Sequence, residues 1–266
     1  MNSTTWSWTW DETLYAGAAP HYAAGRMPYP AALAGTVRDE LGLDGTGRLL
    51  DVGCGPGKLT TLLAPYFAAA VGVDADPGMI ELARDRAPGI DWHCLRAEEL
   101  PAGLGRFRLV TFAQSFHWMD QPLVARAMRG MLEPGGAWVH VGGNTHGGGD
   151  DALWAAIDGL VRSYLGAVRR AGRGVLPTGT RAGEEDVMRA AGWSGPVRHE
   201  IRREAATRTL DQVVSAVFSL SSSTPYLLGP RAADFERDLR ELLLGLVPNG
   251  RFIVRPGSIE VVVWRP

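Results

Sequence analysis

Short apolar runs alternate with segments of helical periodicity up to about residue 141. Five of these runs, each short enough for a strand that is buried on both faces, lie at 48–52, 70–74, 90–95, 107–113 and 137–141. The intervening segments predict helices at 30–43, 58–67, from 76 onward and 121–132, with an interruption of the second near Pro65. Strands and helices that alternate at this spacing predict a parallel sheet with right-handed crossovers and helices on both faces.

The pattern changes after Val141. A glycine-rich stretch at 142–151 precedes apolar residues at helical spacing over 153–168, which predict a strongly amphipathic helix. Residues 169–183 are typical of a surface loop. The remaining segments predict helices at 184–191, 209–220 and 230–246, a strand at 197–206, and one or two terminal strands in 251–264. Helices inserted in this way are typical of lids and substrate pockets.

These elements divide the chain into four predicted parts. They are an N-terminal lid segment at 1–30, a ligand-binding core at 31–141, a helical cap with the sixth strand at 142–250, and a terminal strand at 251–266 that completes the sheet. The first part is aromatic and turn-rich, and its prolines Pro28 and Pro30 argue against a helix there.

Composition limits the class of protein. The chain has 266 residues, which suits one large domain, and a folded chain of this length buries roughly 75% of its surface. A net charge of −2 argues against a general nucleic-acid binder. Two cysteines, Cys54 and Cys94, make neither a disulfide framework nor a four-ligand metal site. The six histidines show no close ligand spacing, so no metal site is expected.

The sequence also carries no signal for a membrane or a secretory pathway. It has no run of 18 apolar residues, and residues 1–12 lack a basic region and an apolar segment. We therefore expect a cytoplasmic protein with no membrane or nucleic-acid partner, which acts on a small molecule as a monomer or homodimer.

Residues 49–60, LLDVGCGPGKLT, place three alternating glycines directly after a predicted buried strand. Loops of this kind hold nucleotide-like ligands. The nucleoside triphosphate template requires a glycine where Val52 stands, and Ser or Thr where Leu59 stands. The dinucleotide template G-x-G-x-x-G requires a third glycine at Lys58 or Thr60, although near misses to it occur in dinucleotide enzymes.

Two further residues narrow the ligand. Pro56 removes one N–H of the loop that a phosphate would use. Asp74, at the end of the second predicted strand, can accept hydrogen bonds from both hydroxyls of a ribose and would repel a phosphorylated ribose. The combination favours a ligand that joins a nucleoside to an amino acid and carries no phosphate.

Five segments in order resemble the motifs of class I S-adenosylmethionine-dependent methyltransferases: LLDVGCGPGKLT, AVGVDADPGMIELAR, RAEELP, FRLVTFAQSFHWMD and LEPGGAWVHV. The resemblance covers residues 25–141, and the HW pair and the upstream HYAAGRMPYP resemble the type 11-like small-molecule branch. It implies a Rossmann-like, open seven-stranded sheet that is mostly parallel, with an antiparallel last strand, helices on both faces and a helical lid insertion. The cofactor would lie at the carboxyl ends of the first strands.

The resemblance implies a role for individual residues. The loop and Asp51 would line the methionine part of the cofactor, Arg26 would meet its carboxylate, and Asp74 would hold the ribose. The adenine would lie against the residues after the second and third strands, and the transferable methyl beside those after the fourth. The implied cofactor-binding residues are Arg26, Asp51, Gly53, Cys54, Gly55, Gly57, Asp74, Ala75, Met79, Ala97, Glu98, Gln114 and Ser115.

Two histidines are candidate general bases: His117, just past the fourth strand, and His146, in the glycine-rich stretch. Cys54 is interpreted as a small loop residue and Cys94 as a core residue, and the strand histidines His93, His140 and His199 as structural. The candidate substrate-binding residues are aromatic: Tyr15, Tyr22, Tyr29, Phe116, Trp118 and Trp154.

The sequence thus predicts an S-adenosylmethionine-dependent methyltransferase that forms S-adenosylhomocysteine and methylates O, N or C of a small molecule, in secondary or natural-product metabolism. One alternative is an NAD-type dinucleotide oxidoreductase. Another is a protein of the same fold that binds the cofactor without methylating, such as a cyclase. A nucleic-acid or protein methyltransferase is a third alternative, which the absence of a basic tail disfavours.

Overall fold

A computed structural model describes residues 10–143, 151–176 and 183–266. The predicted base His146 and the first nine residues of the predicted lid lie outside the described residues. The helices are α1 Ala19–Gly25, α2 Ala31–Leu41, α3 Lys58–Leu63, α4 Pro77–Arg86, α5 Gln121–Met131, α6 Asp151–Leu165, α7 Glu184–Ala190, α8 Leu210–Phe218, α9 Pro225–Leu228 and α10 Ala232–Leu246. The strands are β1 Arg48–Val52, β2 Ala69–Asp74, β3 Asp91–Cys94, β4 Phe107–Ala113, β5 Leu132–Gly142, β6 Arg170–Ala171, β7 Gly174–Val175, β8 Ser194–Ile201, β9 Ala206–Thr209, β10 Arg251–Val254 and β11 Ile259–Arg265.

Seven strands form the main sheet in the order β3-β2-β1-β4-β5-β11-β8. The pairs β1–β2, β1–β4, β2–β3 and β4–β5 are parallel, whereas β11 is antiparallel to both β5 and β8. The predicted seven-stranded, mostly parallel sheet with an antiparallel last strand is therefore confirmed.

Helices cover both faces of this sheet, as predicted, because adjacent residues of a buried strand point to opposite sides. Leu50 of β1 packs in a cluster with Val124 of α5. Its neighbour Leu49 packs in a different cluster with Leu33 of α2 and Leu59 of α3. The apolar runs are thus continuous because each strand has a core on either side.

The cap is built mainly from α6, α8 and α10, with a core of its own. Ile157, Val217, Phe235 and Leu239 are buried in this cluster, together with Phe252 of β10. A two-stranded antiparallel sheet of β9 and β10 belongs to the cap. The amphipathic pattern of the second half therefore corresponds to helices that bury one face against each other.

Several boundaries differ from the prediction. A helix, α1, does form in the N-terminal segment: Pro20 lies in its first turn, where proline is tolerated, and it ends before Pro28. The strand expected at 197–206 begins at Ser194 and ends at Ile201. Residues 206–209 instead pair with residues 251–254. Of the two C-terminal strands, β10 and β11, only β11 therefore joins the main sheet. The expected loop at 169–183 contains the short β6–β7 pair.

Other local predictions are confirmed. Helix α3 ends at Leu63 and passes into a tight turn at Ala64–Tyr66, since Pro65 has no N–H to continue the helix. Helix α4 begins at Pro77, and the Asp76 carboxylate accepts a hydrogen bond of 3.0 Å from the Met79 N–H. Within residues 10–143, 151–176 and 183–266, no helix combines the length and the apolar character needed to cross a membrane.

Candidate active site

The first cavity opens at the carboxyl ends of β1, β2 and β4 and has a volume of about 660 Å³. Its walls combine the glycine loop, the ends of three strands and aromatic residues of the N-terminal segment. The lining residues are Trp10, Tyr15, Tyr22, Gly53, Gly55, Val73, Asp74, Ala75, Met79, Leu95, Arg96, Ala97, Glu98, Ala113, Gln114, Ser115, Trp118 and Met119. Nine of the thirteen predicted cofactor-binding residues are among them: Gly53, Gly55, Asp74, Ala75, Met79, Ala97, Glu98, Gln114 and Ser115.

The glycine loop turns sharply beneath this cavity. Gly53, Gly55 and Gly57 all have positive φ, at +68°, +54° and +78°. The backbone N–H groups of Gly53 and Cys54 both donate to the carbonyl of Val73, at 2.8 and 3.0 Å, which fixes the loop to the end of β2. Gly57 was predicted to bind the cofactor, but it does not line the first cavity. A Cβ at this position would lie 2.5 Å from Trp92 Cη2, so the glycine is needed for close packing.

Asp74 connects the loop to the second strand. Its Oδ2 accepts a hydrogen bond from the Gly55 N–H at 2.8 Å, and its Oδ1 accepts one from the Asp76 N–H at 2.9 Å. Each carboxylate oxygen keeps a second lone pair, so both can still accept a hydrogen bond from a ligand. Burial raises the pKa of Asp74 to about 6, against the opposing effect of these two backbone N–H groups.

Asp51 is enclosed in the sheet and does not line the cavity, contrary to the role that the resemblance implied. Its carboxylate accepts hydrogen bonds from the hydroxyls of Thr60 and Thr111, at 2.6 and 2.7 Å. Burial raises its pKa to about 6. The carboxylate therefore holds β1, β4 and α3 together below the loop, a position that spacing alone does not distinguish from a ligand contact.

The cysteines differ from each other in environment. Cys54 is buried, and burial raises the pKa of its thiol well above the ordinary value, which makes it unreactive at neutral pH. It faces the third cavity described below rather than the first. Cys94 is exposed, so the expectation that it belongs to the core is wrong. It ends the edge strand β3, where one side of the sheet has no neighbouring strand.

Two short turns bring residues from beyond β3 and β4 into the first cavity. Ala97–Glu99 is a 3₁₀ turn, and the Glu98 carboxylate accepts a hydrogen bond of 2.9 Å from the Asp120 N–H, which fixes its orientation. Gln114 has a φ of +57°, which is uncommon for a residue with a side chain. Ser115 Oγ donates to the carbonyl of Val52 at 2.7 Å, so its hydroxyl ties β4 to β1.

A third cavity adjoins the first at the glycine loop and concentrates positive charge. It is lined by Tyr22, Arg26, Met27, Tyr29, Gly53, Cys54, Pro56, Lys58, Leu59 and Ala113. Lys58 donates to the backbone carbonyl of Arg26, and burial lowers the pKa of Lys58 to about 8, with nearby arginines adding to the effect. Arg26 also donates from Nε to Ser219 Oγ at 2.8 Å and lies over the Tyr22 ring at 4.8 Å. Arg26 was expected at this end of the site from the resemblance, whereas Lys58, the chain's single lysine, was not.

The six predicted substrate-binding aromatic residues divide among three cavities and the core of the cap. Tyr15 and Trp118 meet edge to face at 6.4 Å, Tyr15 and Tyr22 at 6.2 Å, and all three line the first cavity. Tyr29 lines the third cavity. Trp154 packs against the core of the cap and lines none of the three cavities described here, so the structure does not place it with the other predicted substrate residues.

A second cavity of about 930 Å³ shares Gln114 and Ser115 with the first. Its other described lining residues come from β4 and the turn after it, from β5, β8 and β11, and from the start of α7: Phe112, Phe116, His117, His140, Val141, Gly142, Gly183, Glu184, Glu185, Arg198, Glu260, Val262 and Trp264. Two of the predicted site residues, Phe116 and His117, are among them. His140, interpreted from its strand pattern as structural, lines this cavity as well.

Both histidines of the second cavity are neutral at physiological pH. Burial lowers the pKa of His117 to about 4, with a contribution from Arg169, and lowers that of His140 to about 3, with a contribution from His117. His140 Nδ1 lies 3.9 Å from the carboxylate of Glu184, whose own pKa is raised by burial. Across the described residues, no group of three or more His, Cys, Asp or Glu side chains could hold a metal ion.

Part of this chain is similar to known methyltransferases. A family model described as a methyltransferase domain matches residues 49–136, from β1 into β5. An uncharacterized methyltransferase-like protein of Schizosaccharomyces pombe is 30% identical over 116 residues, which are 43% of this chain and 45% of that protein. The chain thus spans about half the length of the curated relatives it matches.

Solved structures agree at the level of the fold. A protein of Anaeromyxobacter dehalogenans, whose assignment as a type II methyltransferase is provisional, has a TM-score of 0.55 with 20% identity, over 90% of this chain and 95% of that one. The cyclase SpnF has a TM-score of 0.50 with 18% identity, over 91% and 86%. Residues 49–136 therefore match a methyltransferase domain, and the seven-stranded sheet that contains them has the Rossmann-like methyltransferase fold; together these findings support the class I S-adenosylmethionine-dependent methyltransferase superfamily.

Proposed function

We propose that the protein binds S-adenosylmethionine in the first cavity and transfers its methyl group to a small molecule in the second cavity. The observation that carries this proposal is the position of Asp74. Its carboxylate is anchored by two backbone N–H groups, lines the first cavity and keeps one lone pair on each oxygen for the ribose hydroxyls.

The remainder of the first cavity fits the other parts of the cofactor. Ala75 and Met79 supply apolar contacts, and Glu98 a fixed carboxylate, at the end suited to the adenine. At the opposite end, Lys58 and Arg26 supply positive charge for the carboxylate of the methionine part. The third glycine of the dinucleotide template is missing and Pro56 has no N–H, so the loop offers no phosphate cradle between these ends.

S-adenosylmethionine, when bound, would supply a methyl group attached to a positively charged sulfur. A nucleophile in line with the carbon–sulfur bond would take the methyl group, and S-adenosylhomocysteine would be the leaving group. The chain contributes positioning, which can supply roughly 7–11 kcal/mol of the barrier. Gln114 and Ser115 form the wall common to both cavities, so the acceptor atom would sit beside them. His117, neutral because of its lowered pKa, would accept the proton of a hydroxyl or amine acceptor at an imidazole nitrogen.

The acceptor is proposed to be a small molecule because the second cavity, bounded by strands of the main sheet and by α7, has a volume of about 930 Å³, within the range of small-molecule pockets. The acceptor atom can be O, N or C, and the reaction is proposed to belong to secondary or specialised metabolism. The same proposal takes the protein to be cytoplasmic and a monomer or homodimer, without nucleic-acid or membrane partners.

Two alternatives are weaker. The dinucleotide oxidoreductase fold has a sheet of order 3-2-1-4-5-6, whereas here an antiparallel strand, β11, is inserted between β5 and β8. A cofactor-binding protein that does not methylate has a precedent for its fold in the cyclase SpnF, but no residue of the second cavity favours that chemistry over methyl transfer.

The test uses the full chain and has two stages. Calorimetry should show that S-adenosylmethionine and S-adenosylhomocysteine bind, while NAD does not. A transfer assay with a labelled methyl group, run against a panel of small phenols, amines and carboxylic acids, should then yield a product that mass spectrometry identifies. Absence of cofactor binding would overturn the proposal, and binding without transfer to any acceptor would favour the non-methylating alternative.

A further inference from the structure

Charge is unevenly distributed around the second cavity. The described lining residues include three acids, Glu184, Glu185 and Glu260, and one cation, Arg198. The Arg198 guanidinium donates to the carboxylates of both Glu185 and Glu260, so its charge is divided between these two acids. Both histidines are neutral, as shown above. The described wall therefore carries net negative charge.

Glu184 is the acid that this arrangement leaves uncompensated. Its side chain is about one-third exposed, and within the described residues its ionic neighbour is the neutral His140, at 3.9 Å. Burial raises the pKa of Glu184, which shows that its charged form is poorly solvated. A positive group brought into the cavity would meet a carboxylate that already lies close to apolar surroundings, where attraction between charges is stronger than in water.

The same cavity has aromatic walls. Phe112, Phe116 and Trp264 line it beside the acids. Phe112 and Phe116 are packed against the Trp138 ring, with ring centroids 4.0 and 5.0 Å from it, so their positions are fixed by the core. All three rings are about 1% exposed, so they give the cavity a fixed apolar floor that suits the apolar body of an acceptor. An anionic group on that body would be repelled by Glu184.

We infer that Glu184 is a specificity-determining residue: it selects acceptors that carry an amine or other cationic group on an apolar body, and it disfavours anionic acceptors. This inference rests on the proposed function, because the second cavity is the acceptor site only if the first holds the methyl donor. The residue acts on affinity for the acceptor rather than on the transferred methyl group.

Three para-substituted phenols of similar size and different charge test it directly. They are tyramine, which is cationic, para-ethylphenol, which is neutral, and phloretic acid, which is anionic at neutral pH. Their dissociation constants are measured on the full chain by calorimetry, with and without S-adenosylhomocysteine. Tyramine should bind about 10-fold or more tightly than phloretic acid, because like charges at short range repel.

The Glu184→Gln variant should reduce this ratio to about 2-fold, and Glu184→Lys should invert it. The matched control is Asp186→Asn, since Asp186 also lies in the first turn of α7 but is exposed and does not line the cavity. Both carboxamide variants lose one favourable interaction with the helix dipole, so their melting temperatures should be similar.

The outcomes separate the two proposals. Equal binding of the three probes, or no binding of any, overturns the inference. An unchanged ratio in Glu184→Gln overturns it too. A charge preference that Glu184→Gln removes, in a protein that does not bind S-adenosylhomocysteine, would support charge selection by Glu184 in this cavity, and would overturn the proposed donor site and with it the role of the selected molecules as methyl acceptors.

Discussion

The carboxylate of Asp74 accepts a hydrogen bond from the backbone N–H of Gly55 at 2.8 Å, across 19 positions of sequence. This contact joins the end of β2 to the apex of the glycine loop after β1. The two adjacent parallel strands end at the same edge of the sheet, and the contact there makes the acid and the loop one surface. The proposed donor site depends on this relationship.

Replacing Asp74 by Asn should weaken the binding of S-adenosylhomocysteine about 10- to 100-fold, since a hydrogen bond to a charged group contributes roughly 1.5–3 kcal/mol. Calorimetry measures the change. The control is Asp85→Asn, an exposed acid on α4 that does not line the first cavity. Equal affinity of the Asp74→Asn and wild-type proteins would remove the ribose-binding role.

Donor affinity should also depend on pH through the same residue. The pKa of Asp74 is raised to about 6, and the carboxylate, rather than the protonated acid, accepts from both hydroxyls. The affinity of the wild-type protein for S-adenosylhomocysteine should therefore fall as the pH drops below about 6. The Asp74→Asn variant should lack this step, and a step of the same size in both proteins would point to a different group.

Lys58 should recognise the carboxylate of the donor. Lys58→Met is expected to weaken S-adenosylhomocysteine binding about 10-fold, as for a charge-assisted hydrogen bond, while methylthioadenosine, which lacks that carboxylate, binds unchanged. The pKa of Lys58 is lowered to about 8, so the wild-type affinity for S-adenosylhomocysteine should decline as the pH rises through 8. Parallel losses for both ligands would show that the variant disturbs the loop instead.

His117 should act once an acceptor has been found by the transfer assay. With a hydroxyl acceptor, His117→Ala should lower kcat about 10²–10⁴-fold and leave the affinity for S-adenosylhomocysteine intact. Burial lowers the pKa of His117 to about 4. The fall of kcat at low pH should therefore have its midpoint near pH 4 rather than near the ordinary pKa of histidine. His93→Ala, on β3, is the control. An unchanged kcat in His117→Ala would exclude a general-base role.

The loop glycines should differ in their tolerance of a side chain. Gly57→Ala should lower the free energy of unfolding by about 2–5 kcal/mol, because it combines a left-handed φ with a contact of 2.5 Å to Trp92. At Gly55 the nearest atom to a Cβ is Tyr22 Cε1 at 3.8 Å, so Gly55→Ala should cost only about 1–2 kcal/mol. Urea denaturation of both variants compares these costs directly, and equal losses would contradict the packing role of Trp92.

Asp51 should make the protein more stable as the pH falls from 6 towards 4. Its folded pKa of about 6 exceeds the ordinary value of 3.8, so the folded state binds the proton first and the free energy of unfolding decreases as the pH rises. The full effect is up to about 3 kcal/mol. Subtracting the values for Asp51→Asn, measured by denaturation across this range, isolates it. A difference that does not change with pH would show that Asp51 has the same pKa in the folded and unfolded states.

The sequence predicted the first half of the fold well because the signals there are local. Each buried strand is a continuous apolar run, and Asp76-Pro77 specifies the start of α4 through a hydrogen bond between neighbours. The second half was less predictable. The segments 206–209 and 251–254 pair with each other across more than 40 positions, and no local pattern distinguishes that pairing from addition to the main sheet.

The candidate site shows the same division. By itself, the sequence determined the glycine loop and the acid at the end of β2, because the positive φ of the loop needs glycine and because adjacent parallel strands bring their ends together. Only the tertiary structure decided that Asp51 and Gly57 pack inside while Lys58 lies beside the loop. Only the tertiary structure showed that His140 and Glu184 line one cavity. Their burial and separation depend on how α7 packs against β5, which residue type and sequence spacing do not predict.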